Sequence, residues 1–282
     1  MLATYTEQFA SAKNQTTTTK PFVSDKIIVS YWDERSVSYS CNVCEELAGV
    51  CYPEWERILQ QRSASVRGKA QDLGRVPRML DLGCGPGFFS IVFARMGCAV
   101  DAVDSSEGML EKAHKNASDV GIVDSINFHT ADICELPFED NSFDVVALRN
   151  VTWLMRDPIA AYAEWQRVLA PEGLLLVFDA NWYHYLVNPI VDAQRISDQV
   201  SLETLNQDES GLATQEQERR CEEIALALPS TYLDRPSWDR AVLKDLGFSH
   251  VEVDEEAWLS LWTEGEQAFY GSSPLFMIEA IK

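Results

Sequence analysis

The densest glycine spacing in the chain lies in Asp81-Leu82-Gly83-Cys84-Gly85-Pro86-Gly87. Glycines let a backbone pass close to a ligand, and a helix opening there offers free N–H groups to polar or negative atoms. Asp81 adds a carboxylate able to accept from a ligand ammonium group or from loop backbone. The G-x-G-x-x-G spacing of dinucleotide sites is not met: Phe88 stands where its third glycine belongs, and Gly87 comes one place early. Asp104 and Asp132 are two further acceptors downstream. A carboxylate can take both hydroxyls of a sugar, and Asp132 suits an exocyclic amine, although each alone is equally a turn or N-cap residue. Asn150 can position a reacting group or bond its own backbone in a turn. His184, inside the aromatic run Asp179–Tyr185, is the best-placed general base among the four histidines, with a satisfied structural histidine as the alternative.

These residues need a frame. Arg78–Leu82, Ala99–Val103, Ile126–His129, Phe143–Leu148 and Leu174–Phe178 are short apolar runs that read as strands. Between them Phe88–Met96, Glu107–Val120 and Ile159–Leu169 read as helices, the last with Asp157 as N-cap and Pro158 in its first turn. Strand and helix alternating in this way imply a parallel sheet covered on both faces. The glycine loop then leaves the first strand, Asp104 ends the second, Asp132 follows the third and Asn150 the fourth. Open α/β sheets bind ligands at such carboxyl ends. Before the first strand, Ile27 to about Leu73 is helical in pattern, with Pro53 at a break, and residues 63–77 read as a linker. After the fifth strand, residues 181–240 lack a strand pattern. A helix at Ser237–Leu246 and strands at His250–Val253 and Leu275–Ile281 close the chain.

The chain has 282 residues, 46% hydrophobic and 24% charged, enough to bury a sizeable core. Its net charge of −21 argues against a nucleic-acid partner or an anionic membrane surface. The polar, Thr-rich opening lacks the apolar run of a secretory signal, and no run is long and apolar enough to span a membrane, so neither a signal peptide nor a membrane helix is expected. Seven scattered cysteines fit reduced thiols and a cytoplasmic protein. Cys41, Cys44 and Cys51 lack the fourth ligand of a structural zinc site, so no metal is expected.

The run MLDLGCGPGFFSIVFARMGCAVDAVDSSEGML strongly resembles the cofactor half of class I S-adenosylmethionine-dependent methyltransferases of the small-molecule type. Ala131-Asp132-Ile133, LPFEDNSFDVV (136–146) and VLAPEGLLLVFD (168–179) extend the likeness. It implies a Rossmann-like seven-stranded sheet whose last strand is antiparallel, with a helical N-terminal cap and a helical insertion after the fifth strand. It implies S-adenosylmethionine as cofactor, held by Asp81, Gly83, Cys84, Gly85 and Gly87. Asp104 would take the ribose, with Ser105 and Met109 beside it, and Asp132 and Ile133 the adenine. Tyr31 or Tyr39 would close over the methionine end, unless that aromatic stripe is core packing.

The organisation expected is a loose tail at 1–26, a cap at 27–75, a cofactor core at 76–180, an acceptor lid at 181–240 and the end of the sheet at 241–282. Asn150 would touch both cofactor and acceptor. Trp153, Tyr183 and His184 would face a small, partly apolar acceptor, with His184 and Asn150 as the catalytic candidates. The activity implied is methyl transfer. Alternatives on the same residues are a non-catalytic S-adenosylmethionine sensor, an aminopropyl transferase and, weakened by Phe88, a nicotinamide oxidoreductase. The acceptor and the oligomeric state are not readable from the sequence.

Overall fold

The computed structural model describes residues 23–203 and 213–282, with side chains through 198 in the first span. The expected tail therefore lies outside the described residues up to 22, and part of the expected lid does so at 204–212. Residues 23–26 are not loose: Val23 is buried and α1 (Asp25–Ala48) begins at once. Next come α2 (Tyr52–Asp72), β1 (Arg78–Leu82), α3 (Phe88–Arg95), β2 (Ala99–Asp104), α4 (Glu107–Asp119) and β3 (Ile126–Thr130). They are followed by β4 (Phe143–Arg149), α5 (Pro158–Val168), β5 (Leu169–Asp179), α6 (Pro189–Glu203), α7 (Gln215–Leu226) and α8 (Ser237–Asp245). The chain ends with β6 (His250–Asp254), α9 (Trp258–Leu261), α10 (Glu264–Tyr270) and β7 (Phe276–Ile281).

The seven strands run in the order β3-β2-β1-β4-β5-β7-β6. Strands β1 to β5 are parallel, and β7 is antiparallel to both β5 and β6. The chain builds outward from β1 in one direction and restarts at β4 in the other. The ends of β1 and β4 therefore flank a topological switch point, where such sheets open a crevice. β1 and β4 are buried along almost their whole length, as expected of central strands covered on both faces.

Two expectations need correcting. The segment 63–77 is not a linker, because α2 continues to Asp72. Its Ser63, Val66 and Ala70 recur on one face and are buried, and Ser63 Oγ returns a bond to Leu59 O at 2.6 Å. Polar composition hid a narrow apolar seam. Strand β5 begins at Leu169 rather than Leu174, since Leu169 pairs with Phe143 before an irregularity in register. Asp157 and Pro158 do open α5, with Ala160 N–H donating to Asp157 at 3.0 Å.

Helix α2 is a core layer: Trp55 meets Phe88, Phe89 and Phe178 with ring centres 5.2–5.8 Å apart. Helix α1 is anchored beside the glycine loop. Asp33 accepts from Ser106 Oγ at 2.5 Å and from Gly108 N at 3.1 Å, and Asn116 on α4 donates to Pro86 O at 3.0 Å. Among the described residues no helix is long and apolar enough to cross a membrane.

Candidate active site

The loop after β1 takes left-handed backbone at Gly83, Gly85 and Gly87. Gly83 and Gly85 are glycine for different reasons. A Cβ on Gly83 would lie 2.6 Å from Val151 Cγ2, so packing forbids it. A Cβ on Gly85 would meet nothing nearer than the Tyr39 ring at 3.9 Å. That space belongs to a cleft lined by Asp81, Gly83 and Gly85, by Tyr39 and Val43 of α1, and by Arg149 at the end of β4.

Two carboxylates brace the loop. Asp81, only 2% exposed, accepts from Ser90 N at 2.8 Å and Ser90 Oγ at 2.6 Å and so ties β1 to α3. Asp104 accepts from Gly85 N and Ser106 N, both at 2.9 Å. Burial pushes Asp81 up to about 7 and Asp104 up to about 6, with the hydrogen bonds from Ser90 and from the loop opposing it. Arg149 is held by both oxygens of Glu46 at 3.2 and 2.7 Å and lies 4.3 Å from the Phe88 ring centre.

Next to the cleft is a packed aromatic cluster. Asn150 has left-handed backbone at the end of β4, its N–H donates to Phe178 O at 2.8 Å, and its Oδ1 is buried without a partner. Trp153 donates to Asn150 O at 3.0 Å and packs 4.7 Å from Tyr183 and 6.4 Å from Trp32. Below the insertion, Asp179 and Asp239 flank Arg235. Arg235 Nε reaches Asp239 at 2.8 Å and Nη2 donates to Thr152 Oγ1 at 2.5 Å, while Thr152 bonds Asp179 and Tyr162 OH bonds Asp239 at 2.6 Å. This buried network joins β5, α5, α8 and the turn after β4.

Residues 80–177 match a family model described as a methyltransferase domain. Over 121 residues the chain is 40% identical to a demethylmenaquinone methyltransferase of Clavibacter sepedonicus, which covers 41% of this chain and 45% of that protein. Over 109 residues it is 38% identical to a ubiquinone/menaquinone biosynthesis C-methyltransferase of Shewanella halifaxensis, covering 36% of this chain and 42% of that one. A crystal structure of a "putative sarcosine dimethylglycine methyltransferase" from Galdieria sulphuraria shares the fold, with a TM-score of 0.54 at 15% identity over 81% of this chain and 84% of the other.

Residues 80–177 are thus similar to a methyltransferase domain, and the seven-stranded sheet has the fold of that crystal structure. The chain spans less than half the length of the curated relatives it matches.

The sequence-predicted residues separate into groups. Asp81, Gly83, Cys84, Gly85 and Tyr39 meet at the cleft. Gly87 caps α3, and a Cβ there would press on Ala113 at 3.2 Å. Asp104 stands at the loop, with Ser105 exposed beside it and Met109 buried in the first turn of α4. Asp132 is exposed and accepts from Cys134 N at 2.8 Å, while Ile133 is buried next to it. Tyr31 is not at the cleft. It is buried against α7 with Cys221 and Ile224, and burial raises its pKa.

His184 must be corrected. Its Nδ1–H donates to the Thr231 carbonyl at 3.1 Å and its Nε2 accepts from Asn188 Nδ2 at 3.1 Å. A carbonyl only accepts, so this tautomer is fixed and neither ring nitrogen is left for an acceptor molecule. The ring braces the insertion instead. Tyr183 does join Trp153, and its hydroxyl meets Cys221 Sγ at 2.9 Å. Cys41 and Cys44 lie exposed on α1, and among the described residues no three His, Cys, Asp or Glu side chains are grouped to hold a metal.

Sequence reading missed Arg149 and Arg35. Arg149 was signalled only by its place beside Asn150 at a strand end. Arg35 sits four residues after Tyr31 and four before Tyr39, a charge inside an aromatic stripe on one helix face.

Proposed function

We propose that this protein transfers a methyl group from S-adenosylmethionine to a small-molecule acceptor. The observation that carries this reading is Gly85. Its backbone amide is bound by Asp104, and the direction a side chain would take opens into the cleft rather than into protein. That is a backbone made to lie against a ligand. The donor set fits the cofactor. Asp104 keeps lone pairs for ribose hydroxyls at the end of β2, and the loop, Tyr39 and Arg149 surround the place for the amino-acid end.

When bound, S-adenosylmethionine supplies a methyl group on a sulfonium that is already a good leaving group. The protein's task is then orientation and exclusion of water. The loop and Asp104 fix the donor, α1 covers it, and Asn150 and Trp153 position the acceptor at the end of β4. With both nitrogens of His184 engaged, the acceptor is one that attacks without help from that histidine. In this reading residues 76–180 are the cofactor half, 27–75 bring the cap, 181–240 cover the acceptor and 241–282 complete the sheet. Reduced thiols and strong negative charge suit a cytoplasmic enzyme acting on a metabolite rather than on nucleic acid.

The test is incubation with methyl-labelled S-adenosylmethionine across thiol, amine, phenol, carboxylate and carbon acceptors. Label should reach at least one class in the wild type and none in Gly85→Val. Tight cofactor binding with no transfer to any class would favour a sensor instead.

A further inference from the structure

Asn116 is buried on the face of α4 against which the glycine loop packs. A Cβ on Gly87 would press on Ala113 at 3.2 Å, so the loop runs close along this helix. Asn116 follows three residues after Ala113, on the same face. Its Nδ2 donates to Pro86 O at 3.0 Å and to Ser40 Oγ at 3.1 Å, and its Oδ1 accepts from Cys44 Sγ at 3.5 Å. A carbonyl oxygen only accepts, so the amide nitrogen must face Pro86 and the amide oxygen is left for the thiol. One side chain thus bonds the loop on one side and the cap helix α1 on the other. Asn in a helix interior is a poorer helix former than Ala or Leu, so α4 itself gains nothing from it.

Pro86 stands between Gly85 and Gly87, both with left-handed backbone. Having no N–H, Pro86 offers a single backbone hydrogen-bonding group, its carbonyl. Asp104 holds the N–H of Gly85 at 2.9 Å, and Cys84 O holds that of Gly87 at 2.9 Å. The Asn116 bond fixes the carbonyl that lies between those two holds. Helix α1 has two other polar ties to this half of the fold, Asp33 to Ser106 and Gly108, and Glu46 to Arg149. Those two end on α4 and on β4, whereas the tie through Asn116 ends on the backbone of the loop.

We propose that Asn116 is a positioning residue for the cofactor. By bonding Pro86 O and Ser40 Oγ at once, it makes the glycine loop and the cap helix take their ligand-binding positions together. This rests on the methyl-transfer reading above, in which the loop surrounds the amino-acid end of the cofactor. The test is calorimetric titration of the full chain with S-adenosylhomocysteine and with 5′-methylthioadenosine, which lacks the amino-acid end. The proteins are the wild type, Asn116→Leu, Ser40→Ala and the double variant.

Asn116→Leu should weaken S-adenosylhomocysteine about tenfold or more, as expected for two lost hydrogen bonds, and 5′-methylthioadenosine less than about threefold. Ser40→Ala removes only the cap arm, from a half-buried position, and should weaken S-adenosylhomocysteine about threefold. The double variant should bind no more weakly than Asn116→Leu alone, because the effect of Ser40 passes through Asn116. Equal losses for the two ligands in Asn116→Leu would mean general damage to the fold and overturn the proposal. Fully additive losses in the double variant would overturn it as well. So would an unchanged S-adenosylhomocysteine affinity in Ser40→Ala, which decides the matter even if Asn116→Leu does not fold. Wild-type affinity kept in Asn116→Leu overturns this proposal alone. A wild type that does not bind S-adenosylhomocysteine overturns the methyl-transfer reading, and this proposal with it.

Discussion

The glycine-loop side and the cap side of the site differ in how far the fold satisfies its own polar groups. On the loop side, Asp81 and Asp104 are bonded to backbone and hydroxyl donors, and Arg149 has Glu46. On the cap side, Arg35 and Trp32 hold buried polar atoms with no partner, as does Asn150 facing them from the end of β4. The loop side is complete before any ligand arrives, so it offers a rigid template for a ligand that never changes. The cap side keeps buried polar atoms without hydrogen bonds, so it has something to gain from a particular ligand and something to lose from a wrong one. Changes on the first side should therefore alter cofactor binding and fold together. Changes on the second should alter choice of acceptor.

The sharpest way to break this comparison is within the loop itself. Gly83→Val adds a side chain against Val151 on left-handed backbone, and should cost roughly 1–2 kcal/mol for the backbone and about 1–3 for overpacking. Gly85→Val carries the backbone cost alone, because its side chain enters the cleft. Thermal melts should show Gly83→Val severely destabilised and Gly85→Val folded, and calorimetry should find S-adenosylhomocysteine binding abolished in Gly85→Val. Equal melting points for the two would refute the packing distinction.

Asp104→Ala comes next. Loss of a carboxylate that accepts two hydroxyls should weaken S-adenosylhomocysteine by roughly 2–4 kcal/mol, about 30- to 1000-fold. An unchanged dissociation constant would remove Asp104 from the ribose.

The sequence showed the loop side and not the cap side, for physical reasons. Gly83, Gly85 and Asp104 work through backbone conformation and strand ends, features local in sequence. The five strand runs and Asp157 at the start of α5 were legible for the same reason. The partners of His184, Thr231 and Asn188, depend on how the insertion folds back, and nothing local to Asp179–Tyr185 encodes that. The unpaired state of Arg35 is likewise a property of packing between α1, α7 and α10. The segment 63–77 misled because only three small residues, Ser63, Val66 and Ala70, face the core along a polar helix.

Proton linkage gives a smaller effect that also separates the two sides. Asp81 at about 7 and Asp104 at about 6 lie above their ordinary 3.8, so both bind protons more tightly folded than unfolded. Their contribution to stability is full below that ordinary value and fades as pH rises through about 6 to about 7. The melting point of the ligand-free protein should fall across this range, and Asp81→Asn should flatten the fall. Ribose hydroxyls donate to the ionised form, so S-adenosylhomocysteine affinity should instead rise as pH passes about 6. An affinity independent of pH between those limits would count against Asp104 as acceptor.

The smallest effect on catalysis is expected at His184. His184→Gln should lower turnover less than about tenfold, short of the loss a general base would bring, while costing about 1–2 kcal/mol of stability through the bonds to Thr231 and Asn188. A loss of turnover of about 100-fold or more at unchanged stability would restore the histidine as a base.

The claim on which the rest depends is the identity of the ligand in the loop cleft. Parallel calorimetric titrations of the full chain with S-adenosylhomocysteine and with NADH test it most directly. The expected result is saturable binding of S-adenosylhomocysteine at one site per chain and no heat with NADH. Saturable NADH binding without S-adenosylhomocysteine binding would contradict it.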